Sequence, residues 1–187
     1  MLLAIDTSTR TVGIAIYDGI QVLCETIWSS HDYHTVELAP AIAETLIRAN
    51  YSIQNLKLIA VATGPGSFTG LRIGLAFAKG LALSLRIPII GIPTFDFLAA
   101  GQPMSPYPMA CVLPAGRSRL AVSWYVSDGS IWRIDHGPLV MTPDEVSDAI
   151  EGPTCICGEM TTEDRQIIGR KWKNAMLSSP ALSVRRP

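Results

Sequence analysis

The sequence has little charge and few cysteines. Asp, Glu, Lys and Arg make up 17% of its 187 residues and almost cancel, leaving a net charge of −1. A protein that grips nucleic acid needs a basic surface, because neutralising phosphates dominates the affinity. We therefore predict that any nucleic acid is held by another protein. The four cysteines, with no signal peptide before the first predicted strand, predict a reducing cytoplasm.

Long apolar runs are also missing. The longest, residues 81–92, is interrupted by Arg86 and Pro88 and is too short to span a bilayer. Since 48% of the residues are hydrophobic, the chain can still build a sizeable core. This composition predicts one large or two small globular domains and no membrane segment.

Common catalytic motifs are absent as well. The glycine-rich segment 64–74 lacks the Gly-Lys-Ser/Thr ending of a P-loop, and Ser67 lacks the flanking glycines of a nucleophile elbow. We predict instead that Ser67 or Thr69 caps the following helix. Weak anion binding at the start of that helix is a second interpretation.

Metal-ligating residues are sparse. His31 and His34 lie three residues apart with Asp32 between them, which invites a metal site. The chain has three histidines and no His-Glu-x-x-His arrangement, so an ordinary helix entry is favoured. Cys155 and Cys157 are expected to be buried structural residues. We predict no metal site and no catalytic residue.

The first hundred residues predict one α/β lobe. Turn residues separate β-rich runs, and longer stretches have the apolar spacing of helices. The predicted strands are 1–5, 12–17, 21–28, 56–63 and 87–92, and the predicted helices are 35–50, 69–86 and 94–100. The order β-β-β-α-β-α-β-α is typical of the ribonuclease-H-like and actin-like ATPase lobes. Pro40 is expected in the first turn of its helix or at a kink.

The pattern then starts again in shorter form. A proline-rich hinge at 101–108 precedes predicted strands at 109–113, 120–127 and 130–135, a short helix opening at 142–145, a strand at 154–157 and a helix at 163–171. From residue 176 the chain is expected to be extended. We predict two lobes in an α/β, actin-like fold, 1–102 and 103–187, the second being a shortened, degenerate copy of the first.

The helix predicted at 69–86 carries almost no charge. Its only ionic residues, Arg72, Lys79 and Arg86, are seven apart and fall on one narrow stripe. Small residues recur every fourth position, at Gly70, Gly74, Ala78 and Ala82. This spacing predicts a shallow face that a helix of a partner chain can approach. The alternative is a core helix packed tightly on the sheet, and both can hold for different faces.

The loop after the first strand is a candidate nucleotide site. An actin-like ATPase places its first phosphate loop there, so Asp6 would reach a metal and Thr7, Ser8 and Thr9 would face phosphate. An ordinary turn with local hydrogen bonds is the favoured alternative. The corresponding segment of the second lobe, 114–117, carries no carboxylate. The loop is therefore expected to be vestigial at most.

Three motifs together resemble the TsaB (YeaZ) family. They are Asp6-Thr7-Ser8-Thr9 after the first strand, His34-Thr35-x-Glu37-Leu38-x-Pro40 at the first helix, and the block 64–74. The similarity runs from residue 1 to about residue 100. It then loosens, because segment 114–121 departs from the family's Asp-Ala-Arg-x-Gly-Glu-Val-Tyr pattern and 182–187 only faintly matches its terminal motif.

The resemblance implies a two-lobed protein that has lost catalysis and is the obligate partner of the enzyme TsaD. With the ATPase TsaE, that pair forms N6-threonylcarbamoyladenosine at position 37 of tRNAs that read ANN codons. It implies no intrinsic cofactor, ATP or ADP only in the assembled complex, and contact with tRNA only through the complex. The family's first two helices form the dimer face, for a homodimer or, in competition, for TsaD.

On this chain the implied interface lies on the helices at 35–49 and 69–86. The candidate interface residues are Thr35, Leu38, Ile42, Leu46, Gly70, Ile73, Gly74, Phe77, Ala78 and Leu81. Three alternatives stay open. The chain could be an ATP-dependent enzyme that uses Asp6, a peptidase acting on a partner protein, or a diverged copy that no longer binds TsaD.

Overall fold

The structure, a computed structural model, describes residues 1–30, 34–171 and 173–187, without the side chains of His34 and Thr35. The chain divides into two units, Met1–Thr94 with Arg186–Pro187, and Phe95–Arg185. The division falls eight residues before the boundary predicted after residue 102. The reason is the helix at 94–100, whose Phe95 and Leu98 are buried in a core cluster of the second unit.

The first unit is a five-stranded sheet with two long helices. Its elements are β1 (Leu2–Asp6), β2 (Thr11–Tyr17), β3 (Val22–Ser29), α1 (His34–Arg48), β4 (Leu58–Ala62), α2 (Phe68–Leu85) and β5 (Ile89–Ile92). The strand order is β3-β2-β1-β4-β5. β1 to β3 are antiparallel, whereas β4 and β5 run parallel to β1. The predicted meander and mixed sheet are confirmed.

Alternation along the central strands assigns the two faces of this sheet. Large side chains such as Leu3 and Ile5 lie on one face, in a core cluster that also holds buried residues of α1 and α2. Ala4 points to the other face and pairs with Ala15 and Ala60. Both helices therefore cover the same side of the sheet.

The second unit repeats this topology. Its elements are α3 (Thr94–Ala100), which begins at the boundary, β6 (Met109–Pro114), β7 (Leu120–Ser127), β8 (Trp132–Met141), α4 (Pro143–Asp148), β9 (Thr154–Gly158), α5 (Thr162–Ile168) and β10 (Ala175–Leu177). The strand order is β10-β9-β6-β7-β8, in which β6 to β10 take the places that β1 to β5 have in the first sheet. α4 and α5 have 6 and 7 residues, against 15 and 18 for α1 and α2. The predicted shortened copy is confirmed.

Two local predictions are resolved in more detail. Pro40 lies inside α1, six residues after its start and not in the first turn, which leaves the alternative of a kink. The tail is not simply extended, because β10 pairs with β9 in parallel and a 3-10 helix follows at Pro180–Ser183. Near the end of the tail, Arg185 is buried and its guanidinium pairs with the Glu159 carboxylate.

Candidate protein-interaction surface

The glycine-rich loop before α2 lies directly on the turn between β1 and β2. Ser67 caps α2, because its hydroxyl accepts a hydrogen bond from the Gly70 N–H at 3.2 Å. The Ser67 N–H donates to the Ser8 carbonyl, and the Thr7 hydroxyl donates to the Gly70 carbonyl at 2.8 Å. One hydrogen bond between main-chain groups and one from the Thr7 side chain thus hold the start of the helix against the turn. Ser67 is the cap among the two that the sequence offered.

The glycines of this segment are required by that contact. A β-carbon at Gly66 would lie 2.3 Å from the Ser8 carbonyl oxygen, and one at Gly70 would lie 2.3 Å from the Thr7 carbonyl oxygen. At Gly74 it would lie 2.2 Å from the Thr7 hydroxyl. Each distance is far below van der Waals contact, so the spacing of these glycines serves the packing of α2 on its own lobe.

The small-residue stripe of α2 therefore faces the sheet. Gly70, Gly74, Ala78 and Ala82 are the buried residues of the helix, and Ala78 is fully covered. The core-helix alternative holds for this side of α2. The assignment of Gly70, Gly74 and Ala78 to a partner face is corrected, because the surface of these residues is used inside the first unit.

The candidate nucleotide loop is buried in the same place. Asp6, Thr7 and Ser8 are at most 1% exposed and Thr9 is 8% exposed. The Asp6 carboxylate accepts from the Ser8 N–H at 2.9 Å, and the Ser8 and Thr94 hydroxyls are hydrogen-bonded at 2.8 Å. These side chains are satisfied by protein groups, as the ordinary-turn alternative expects, and expose almost no surface to a phosphate.

α1 also places its predicted interface residues in the core. Leu38, Ile42 and Leu46 are 1 to 3% exposed and pack on the sheet. The Thr35 side chain lies outside the described part of the chain. The opposite side of α1 is exposed and mostly apolar. It consists of Val36, Ala39, Pro40, Ala43 and Ile47, with Val36 65% and Ile47 71% exposed.

The outward side of α2 is also exposed and mostly apolar. Ala76, Gly80 and Leu83 are exposed, and Leu83 is 81% exposed. Of the predicted interface residues, Ile73, Phe77 and Leu81 are half-buried and lie beside this side. We call the exposed surface of the two helices the helix-pair face. Its members are Val36, Ala39, Pro40, Ala43 and Ile47 of α1 and Ile73, Ala76, Phe77, Gly80 and Leu83 of α2.

Gly80 is the unusual member of this face. It is exposed in the interior of α2, and a β-carbon there would meet nothing within 4 Å. Glycine in a helix interior costs roughly 1 kcal/mol relative to alanine. No contact in the described part of the chain offsets that cost, whereas close approach of another helix would use the missing side chain.

Charged groups lie around the helix-pair face. Glu44 and Arg48 form an exposed ion pair at 2.6 Å along α1. On α2, the Arg72 guanidinium lies 5.0 Å from the centre of the Phe68 ring. An apolar centre with a charged rim is the composition of a protein-protein interface.

The length and composition of α2 would also suffice to cross a bilayer, with 22% of the helix buried. Helices in a protein core or at an interface can have the same length and apolar composition. The prediction of no membrane segment was based on residues 81–92 and did not include all of α2. The absence of a membrane segment therefore stays a prediction.

Among the residues that the structure describes, no three or more His, Cys, Asp or Glu side chains form a cluster. His31 and Asp32 of the candidate metal site lie outside the described residues. His136 stacks on Trp124 at 5.6 Å between ring centres and contacts the Asp135 carboxylate at 2.8 Å.

The repeated topology defines a two-lobed α/β protein with the actin-like ATPase fold. The solved structure of YeaZ from Pseudomonas aeruginosa has this fold, with a TM-score of 0.77 and 23% sequence identity. The match covers 95% of this chain and 83% of that chain. The predicted fold class is confirmed.

Sequence comparison identifies the family. The chain is 34% identical over 170 residues to the tRNA threonylcarbamoyladenosine biosynthesis protein TsaB of Bacillus subtilis, covering 89% of this chain and 74% of that protein. The protein of the same name from Escherichia coli is 28% identical over 176 residues, covering 92% and 72%. Residues 21–159 match the family model described as TsaD, tRNA N6-adenosine threonylcarbamoyltransferase. The chain belongs to the TsaB (YeaZ) family.

Proposed function

We propose that this chain is the non-catalytic partner of TsaD in forming N6-threonylcarbamoyladenosine at position 37 of ANN-decoding tRNAs. The names of its relatives support a role in this pathway, and the match to the TsaD family model supports common ancestry with the transferase. The chain's own contribution is then to bind TsaD and hold it in an active arrangement.

The helix-pair face is the observation that carries this proposal. It presents exposed apolar side chains on two adjacent helices, and Gly80 of α2 leaves open space on it. Burying such a surface contributes about 25 cal/mol per Å² of apolar area. That gain has to exceed the loss of translational and rotational freedom on association. A specific interface of about 800 Å² per partner is of the size that two helices can supply.

The burial of the Asp6 to Thr9 loop supports the non-catalytic role. Its hydroxyls and carboxylate are engaged with protein groups, and Gly66 and Gly70 hold α2 against it. A nucleotide would have to displace these contacts before reaching the loop. We therefore place ATP or ADP only in the assembled complex, with no intrinsic cofactor on this chain.

The remaining partners are those that the family implies. The chain alone forms a homodimer through the helix-pair face, and TsaD competes for that face. TsaE joins the larger complex, tRNA is contacted through the complex, and the assembly is cytoplasmic. The net charge of −1 agrees with an indirect contact to tRNA.

Reconstitution tests the proposed role. TsaD and TsaE of the same organism are combined with tRNA, ATP and the threonylcarbamoyl donor, and the modified nucleoside is measured with and without this chain. We expect modification only when the chain is present. Full modification in its absence would contradict the proposal.

The two enzymatic alternatives are tested on the isolated chain. We expect no ATP hydrolysis above background and no cleavage of TsaD or TsaE. ATP hydrolysis that disappears in Asp6→Ala would support the ATP-dependent enzyme instead, and specific cleavage of either protein would support the peptidase.

A further inference from the structure

Four sulfur-containing side chains lie together on one face of the second sheet. β6 and β9 are parallel neighbours whose register pairs Met109 with Cys155 and Cys111 with Cys157. Residues two apart on a strand share a face, so the two pairs stack one above the other. All four belong to one core cluster. We call this group the sulfur square.

The Cys157 sulfur lies close to two other sulfur atoms. The Cys111 and Cys157 Sγ atoms are 3.4 Å apart, and the Cys157 Sγ lies 3.7 Å from the Met109 Sδ. Sulfur ligands about 2.3 Å from one metal ion are roughly 3.8 to 4.0 Å apart in tetrahedral or trigonal geometry. Both sulfur–sulfur distances around Cys157 fall short of that spacing by a few tenths of an ångström.

We propose that Cys111, Cys157 and Met109 form a binding site for a single soft monovalent cation of the Cu(I) class. Thiol and thioether sulfur together select Cu(I), whereas Mg²⁺ and Ca²⁺ require oxygen ligands. Charge favours the monovalent ion over Zn²⁺. When the ion binds, one thiol releases its proton, and the resulting thiolate neutralises the ion inside an apolar core.

Three members of the sulfur square are buried and one is partly exposed. Cys111, Cys157 and Met109 are at most 1% exposed. Cys155 is half-buried, and its thiol contacts the Ser105 hydroxyl at 3.5 Å. It is the partly exposed member of the sulfur square.

Copper competition tests the proposal independently of tRNA modification. The full chain is titrated anaerobically with Cu(I) in the presence of a chromogenic Cu(I) chelator. We expect the wild type to take one Cu(I) per chain from the chelator. Cys111→Ala should lower the affinity by at least about 100-fold, since loss of an outer-shell contact alone costs 10- to 100-fold. Met109→Leu should cause a smaller loss.

Cys24→Ala is the matched control, because Cys24 is a free cysteine of the first unit outside the sulfur square. We expect it to bind Cu(I) like the wild type. Wild type that leaves all copper on the chelator, or an equal loss in Cys24→Ala and Cys111→Ala, would overturn the site.

A spectroscopic measurement on the wild type avoids dependence on variants that fold poorly. X-ray absorption of the loaded chain should show only sulfur neighbours, at about 2.3 Å. Nitrogen or oxygen neighbours would place the ion elsewhere and overturn the assignment.

Discussion

A β-carbon has no room at Gly70 and open space at Gly80, although both glycines lie in the same helix. Gly70 is buried against the Thr7 carbonyl, whereas Gly80 faces outward. The same residue type therefore serves two purposes in α2. One glycine allows the helix to pack on its own lobe, and the other leaves a shallow place on the surface.

Alanine substitutions at these two positions should have opposite effects on stability. Gly70→Ala should lower the free energy of unfolding by about 1 to 3 kcal/mol, because the methyl group overpacks against main chain. Gly80→Ala should raise it by up to about 1 kcal/mol, the difference in helix propensity. Urea denaturation of the isolated chain measures both. Equal effects of the two substitutions would contradict the assignment of the inward and outward sides.

Tyr125 gives a prediction on pH. Burial, followed by the hydrogen bond that its hydroxyl donates to Asp96 at 2.8 Å, raises the pKa of Tyr125 well above its usual value near 10. The folded state thus favours the protonated phenol. This contribution is fully present below about pH 10 and is lost as the pH rises further, since only the unfolded chain then ionises.

Stability should accordingly fall more steeply above pH 10 in the wild type than in Tyr125→Phe. The measurement is the urea midpoint between pH 8 and pH 11 for both proteins. Cys111, whose pKa is also raised by burial, acts in the same direction and leaves a residual slope in the variant. Parallel curves for the two proteins would rule out the Tyr125 contribution.

Among the helices and strands, periodicity predicted the positions of α1 and α2 well. It did not predict which side of each helix faces inward. Both helices have two apolar stripes, and helical spacing alone does not distinguish them. In α2 the choice depends on Thr7, whose carbonyl and hydroxyl oxygens leave no room for a β-carbon at Gly70 and Gly74. That contact joins residues about 60 positions apart and leaves no local sequence signal.

The outward stripe of α1 could have been found from the sequence. Val36, Pro40, Ala43 and Ile47 recur at helical spacing and are apolar, although Glu44 and Arg48 lie next to them. The prediction chose Leu38, Ile42 and Leu46 instead. Those larger side chains fill the core, and the exposed stripe is the part of α1 that the first unit leaves uncovered.

A charge on this stripe should impair association without unfolding the chain. Ile47→Glu places a carboxylate at a 71% exposed position of the helix-pair face. We expect it to weaken TsaD binding by tenfold or more, since burial of an unpaired charge is costly, and to change stability by less than about 0.5 kcal/mol. Binding is measured by calorimetry.

Val140→Glu is the control for that experiment. Val140 is 58% exposed on β8 of the second unit, so the substitution has the same chemistry away from the helix-pair face. It should bind TsaD like the wild type. Similar losses in both variants would mean that the face is elsewhere or that added charge acts nonspecifically.

For the whole molecule, the duplicated topology was largely predictable and its details were not. The restart of the β-rich pattern after the hinge identified the second lobe. The sequence did not reveal β10, because a strand of three residues is defined only by its pairing with β9. The two-unit boundary was placed too late because Phe95 and Leu98 pack with the second unit.

The duplication is unequal in a way that matters for function. α4 and α5 occupy the positions of α1 and α2 but have fewer than half their residues. The second unit therefore does not repeat the long helix pair. A chain with one such face is expected to bind one partner at a time, either a second copy or TsaD.

The mass of the chain in solution tests directly whether the helix-pair face binds a second copy or TsaD. The chain is measured by light scattering on a sizing column, alone and mixed with TsaD of the same organism, as wild type and as Gly80→Leu. Gly152→Leu is the matched control, because a β-carbon at Gly152 also meets nothing within 4 Å but lies in the second unit.

We predict that the wild type and Gly152→Leu are homodimers that convert to a mixed complex with TsaD. Gly80→Leu should stay folded, remain monomeric and fail to bind TsaD, because leucine fills the shallow place on the helix-pair face. A wild-type chain that stays monomeric in the presence of TsaD would contradict the proposal that the helix-pair face binds partners. A Gly80→Leu variant that associates like the wild type would contradict it as well.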